Sequence, residues 1–135
     1  MSIAITATRL PARSTRTTQR DSDRYRALFD ECFPQVYAFA WSYLRNRRRA
    51  TDLVVDAFAA VLPGEADGKP AQVKVAVLRE TARLLSEARP GDKDALLLAL
   101  VFDATLPLHE AAQVMQVPVA VARRSLIARL RNLSR

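Results

Sequence analysis

The C-terminal end of the chain concentrates one kind of chemistry: five arginines and no carboxylate follow Glu110. On a helix over 119–133, Ala122, Leu126, Leu130 and Leu133 recur at spacings of four, four and three and make an apolar back. Ala120, Arg124, Ala128 and Arg131 fall opposite, with Arg123 on the flank. Guanidinium groups make forked hydrogen bonds with phosphates and guanine edges, and small neighbours let such a helix lie close in a major groove. The same pattern also describes a solvated basic helix at the end of a bundle.

A second group lies on a helix around Asp52-Leu53-Val54-Val55-Asp56. Asp52 and Asp56 are four residues apart and share a face beside the apolar stripe. Paired carboxylates could hold a metal or do acid/base work, form a contact surface for a basic partner, or be a solvated helix edge. The single histidine, His109, is distant in the chain, and Cys32 is the one cysteine, read as a buried small apolar residue. With no nucleophile–base pair and no ligand set, the expectation is a binding protein: no enzyme, no catalytic residue, no metal and no cofactor.

The elements that must position these residues are helices. No stretch alternates with the period of a strand, and three glycines in 135 residues are few for hairpins or phosphate loops. Residues 1–20, with four arginines and no acid, read as a basic flexible tail. Asp21-Ser22 is a plausible cap for a first helix that Pro34 ends. A second helix runs through Val36–Leu44 and closes at Asn46 and a basic cluster of Arg45 and Arg47–Arg49; a third spans about Ala50–Leu62. Residues 63–70 contain two prolines and two glycines and form the clearest loop. A fourth helix covers about Ala71–Ser86, and Arg89-Pro90-Gly91 breaks the chain again. Three more fit Asp92–Asp103, Leu108–Met115 and Val119–Leu133, the last two joined by a tight turn at Gln116-Val117-Pro118. The expected fold is all-α: two small helical modules, 21–88 and 89–135, the second a helix-turn-helix.

Lys and Arg number 21, of which only Lys69, Lys74 and Lys93 are lysines, against 14 acids, for a net charge of +7. That balance suits nucleic acid, and also a membrane surface or a merely well-solvated protein. The lone cysteine suits a reducing compartment, and the longest apolar run, Ala95–Phe102, is too short to span a bilayer. A cytoplasmic protein without a membrane partner or a small-molecule substrate is expected.

Stretch 28–62 resembles the second conserved region of extracytoplasmic-function (ECF) sigma factors of bacterial RNA polymerase. Phe29, Pro34, Val36-Tyr37, Ala40, Leu44 and the run Ala50–Phe58 carry the likeness. Stretch 92–133 resembles that family's fourth region through Ala95–Leu98, Glu110-Ala111-Ala112 and Val117-Pro118-Val119 to Leu126. The likeness implies that Asp52, Leu53 and Asp56 dock on the clamp-helix coiled coil of core RNA polymerase. It implies that Val121–Ser125, Ser125 included, meet the −35 element of promoter DNA. It also implies that segment 73–86 faces the −10 element, with Lys74, Arg79 and Arg83 as its cations, and that an anti-sigma factor is a candidate partner.

The chain departs from the family at three places. Val55 stands where glutamine is usual, Gln116 where the turn glycine is usual, and no aromatic lies between Phe58 and Phe102 to stack on unpaired bases. The expectation is therefore a sigma-factor-like transcription initiation protein. One alternative is a degenerate relative that regulates through DNA or polymerase without melting promoters. Another is a helical partner-binding protein that does not touch DNA.

Overall fold

The computed structural model describes the backbone of residues 2–64, 68–91 and 93–133, and within those ranges the side chains from residue 22 onward. Among them every regular element is helical. These are α1 (Ser2–Leu44), α2 (Arg47–Val61) with a 3₁₀ turn Leu62–Gly64, α3 (Pro70–Ala88) and α4 (Lys93–Leu98), which runs into a π-helical turn Ala99–Asp103. Then come α5 (Leu108–Met115) and α6 (Val119–Leu133). The backbone of the segment read from composition as a tail belongs to α1; its side chains lie outside the described residues.

Pro34 does not end the first helix, as the sequence suggested. α1 passes through it, and Leu28, Cys32, Val36, Phe39, Ala40 and Tyr43 form one buried stripe across it. An interior proline costs a helix about 3 kcal/mol. Burying each large apolar side chain returns about 1.5–3 kcal/mol, so the stripe outweighs the break. An aromatic ladder flanks it: Phe29 stacks on Phe33 with ring centres 5.0 Å apart, Phe33 on Tyr37 at 5.5 Å, and Phe29 reaches Phe58 of α2 at 4.7 Å.

α1 ends where Arg45 takes a left-handed backbone (φ 54°), its N–H donating to Trp41 O at 2.7 Å. Asn46, expected to close this helix, instead caps the next: its Oδ1 accepts from Arg49 N at 3.0 Å. Arg47–Arg49 are thus the first turn of α2, where cations oppose the helix dipole, and the side-chain cap offsets part of that cost. α3 begins with Pro70 in its first turn and buries Val73, Val77, Leu78, Thr81 and Leu85; the Thr81 hydroxyl is satisfied by Val77 O at 2.7 Å.

Stretches 21–88 and 89–135 share one apolar core that runs from Leu28 to Ala122. α3 packs on α5, and α1 packs on the π-helical turn. Polar contacts cross the same junction. Gln35 Nε2 donates to Ala104 O at 2.6 Å, Tyr43 Oη donates to Arg89 O at 2.9 Å, and Arg89 returns a hydrogen bond to Tyr43 O at 2.7 Å.

Candidate nucleic-acid and partner interfaces

α6 is positioned by the turn before it. Gln116 adopts a left-handed conformation (φ 59°, ψ 43°), its N–H bonding to Gln113 O at 3.2 Å while Val117 N–H bonds to Ala112 O at 3.0 Å. These two bonds close the C-terminus of α5 in the manner glycine usually serves. Pro118 then lets α6 start in a new direction, its carbonyl accepting from Ala122 N at 3.0 Å.

The structure exposes Ala120, Val121, Arg123, Arg124 and Arg131. Ser125 is only half exposed and lies on the flank of this face. No acid stands in the first turn of α6, so nothing there repels an anion. The apolar back is covered less than its spacing suggested: Ala122 is 1% exposed and Leu126 half-buried, but Leu130 is 40% and Leu133 65% exposed. The reason is length. At 1.5 Å per residue α5 runs about 12 Å and α6 about 22 Å, so α5 cannot cover the last turns of α6, which packs on α4 as well.

Asp52, Leu53 and Asp56 line one open cleft of about 410 Å³ between α2 and α3. Leu44, Leu53 and Leu84, all half-buried, give it an apolar base, while exposed Asp52, Asp56 and Glu87 give it a carboxylate rim with Arg49 beside them. Sequence reading missed Leu44, Leu84 and Glu87, because only the packing of α3 beside α2 brings them to this cleft. The i, i+3 spacing of Leu84 and Glu87 was the available signal. This composition matches the apolar and cationic faces of a basic amphipathic helix.

The three cations expected near the −10 element are all engaged inside the chain. Lys74 Nζ pairs with Glu110 of α5 at 3.5 Å. Arg79 Nη2 donates to Gln113 O, also on α5, at 2.9 Å. Arg83 bonds Glu80 through Nε at 2.9 Å and Nη2 at 2.6 Å, and pairs with Glu87. The hydrogen bond from Arg83 holds the Glu80 carboxyl below its ordinary range.

Cys32 is buried, and desolvation, reinforced by Glu31 and opposed by Lys74, pushes its thiol up, away from the nucleophilic thiolate. Among the described residues, no group of three His, Cys, Asp or Glu side chains could hold a metal ion. No helix there is long and apolar enough to cross a membrane.

The chain matches no protein-family model, no curated protein and no solved structure.

Proposed function

We propose that this chain is a sigma-factor-like transcription protein that binds core RNA polymerase through the Asp52–Leu53–Asp56 cleft and promoter duplex through α6. One observation carries the reading: α6 presents Arg123, Arg124 and Arg131 among exposed small residues, on a segment with no carboxylate after Glu110. The acidic, apolar-based cleft supports the polymerase half, and the motif likeness in 28–62 and 92–133 supports both. A cytoplasmic location follows from that role. Retention of core polymerase on the immobilised chain, followed by run-off transcription from a promoter library, tests it. No retention and no salt-dependent DNA binding would leave only the partner-binding alternative.

A second reading, regulation without promoter melting, is favoured by a specific arrangement. Lys74 and Arg79 face α5 and are held by it, and Arg83 is held by two glutamates, so strand capture by this segment requires those interactions to be given up. Polymerase retention without run-off product distinguishes this reading from the first.

A further inference from the structure

A cleft of about 560 Å³ opens between the end of α1, the α3–α4 connection and α6, on the side of α6 away from the DNA-facing arginines. Arg129, which lines it, lies five positions from Arg124, about 140° around the helix. Arg45 and Arg89 line the cleft with it, so three arginines from separate elements border one space. Two of them are held in place. Arg45 lies over the Trp41 ring at 4.7 Å, and Arg89 lies over the Tyr43 ring at 5.2 Å while bonding Tyr43 O. Arg129 has an interaction of its own and is a third lining cation. Each arginine has an intramolecular contact that holds it, yet the like charges that border the cleft repel one another, and cations pre-set on aromatic faces lose little entropy when an anion arrives.

Asp103 contributes one carboxylate to the same wall. It repels a bare anion but accepts hydrogen bonds from hydroxyl groups. The volume lies within the range of small-molecule sites. We infer that this cleft binds a phosphorylated sugar, mononucleotides included, with its phosphate toward Arg45, Arg89 and Arg129 and its hydroxyls toward Asp103. Because the three arginines come from both halves of the chain, the ligand would hold α6 against α1. The site does not depend on what α6 itself binds.

Calorimetric titration and thermal unfolding of the intact chain, at fixed ionic strength, test this with inorganic phosphate, ribose 5-phosphate and a short DNA duplex as probes. Ribose 5-phosphate should bind at least tenfold tighter than phosphate and raise Tm. Arg45→Gln, whose side chain rests on the Trp41 ring, should weaken ribose 5-phosphate at least tenfold, since one charge-assisted contact is worth about that factor. Asp103→Asn should narrow the difference between ribose 5-phosphate and phosphate.

Gly91 offers a variant that narrows the cleft beside the Tyr43–Arg89 hydrogen bond. A Cβ there would meet only Tyr43 Oη at 3.5 Å and Arg89 O at 3.8 Å, both ordinary contacts. Gly91→Ala, whose one added carbon is that Cβ, should therefore fold, and Gly91→Val, with two further methyl groups at the cleft wall, should weaken the ligand. Equal binding of phosphate and ribose 5-phosphate, no binding of either, or binding untouched by Arg45→Gln and Gly91→Val would overturn the inference. So would a duplex that competes for the cleft while ribose 5-phosphate does not, since that result assigns these arginines to a nucleic-acid backbone.

Discussion

Arg79 of α3 reaches the end of α5, its Nη2 2.9 Å from Gln113 O, while its own Nε is buried without a hydrogen-bond partner. The contact ties the two halves together at the cost of an unsatisfied donor. A hydrogen bond from a charged group contributes about 1.5–3 kcal/mol, and a buried unpaired polar group costs about 1–3 kcal/mol. The terms nearly cancel, so Arg79→Met should shift unfolding free energy by less than about 1 kcal/mol in urea denaturation. A loss well above 3 kcal/mol would show that Arg79 is a principal tie and that its unpaired Nε carries little penalty.

Gln116 stands in the left-handed backbone region, which costs a residue with a side chain about 1–2 kcal/mol. Gln116→Gly removes that strain but frees the unfolded chain, which takes back about 0.4–1 kcal/mol. The variant should be more stable by about 0.5–1 kcal/mol, read from the denaturation midpoint at unchanged m-value. A less stable variant would mean that the Gln116 side chain makes a stabilising contact of its own.

Substituting Arg123 and Arg124 together by alanine should leave the fold intact, because both side chains are exposed and α6 gains helix-favouring residues. For each arginine that meets a phosphate, the substitution should lower the slope of log affinity against log salt by about one unit. For an arginine that meets a guanine edge, it should instead cost about 1–3 kcal/mol at one base position. Unchanged binding and slope would return α6 to a solvated basic helix.

Charge reversal of Asp52 and Asp56 to lysine should abolish retention of core polymerase while leaving DNA binding by α6 intact. Leu84→Glu, which alters the apolar base and neither aspartate, should weaken retention as well. If both variants retain polymerase at wild-type levels, the cleft is a solvated edge and the docking surface lies elsewhere.

The helical class was legible because periodicity is local: the spacings over 108–115 and 119–133 delimit α5 and α6 as the structure has them. Pro34 and Asn46 misled for the same reason. A proline is a local penalty, whereas the stripe from Leu28 to Tyr43 that overrides it depends on α2 and α3 being there to cover it. Asn46 sits between two helical patterns, and its side chain can serve the one after it as readily as end the one before. The engagement of Lys74 and Arg79 with α5 was not legible, since Glu110 and Gln113 lie more than thirty positions away and nothing local marks the pairing. The arginine cleft escaped likewise: Arg45, Arg89 and Arg129 come from three elements with no shared motif.

The short connection between the halves sets the last prediction. α3 ends at Ala88 and α4 begins at Lys93, so four residues join them. Fully extended, these span about 14 Å. Adding a radius of about 10 Å for the packed part of each half, counted from the start of the core at Leu28, gives a reach of about 34 Å. Unravelling the helix ends back to Leu85 and Ala95 leaves nine residues between them and raises this to about 51 Å. The −35 and −10 elements, as their names imply, lie about 25 base pairs apart, or roughly 85 Å at 3.4 Å per pair. The reciprocal Tyr43–Arg89 hydrogen bonds restrain even the shorter extension. One copy of the chain should therefore protect one promoter element and leave the other open unless a second protein or second copy covers it. Footprinting of a polymerase complex at defined stoichiometry reads this directly. Protection of both elements by a single copy, with no other sigma-like subunit present, would show that the shared core from Leu28 to Ala122 comes apart and the chain extends well beyond its folded reach.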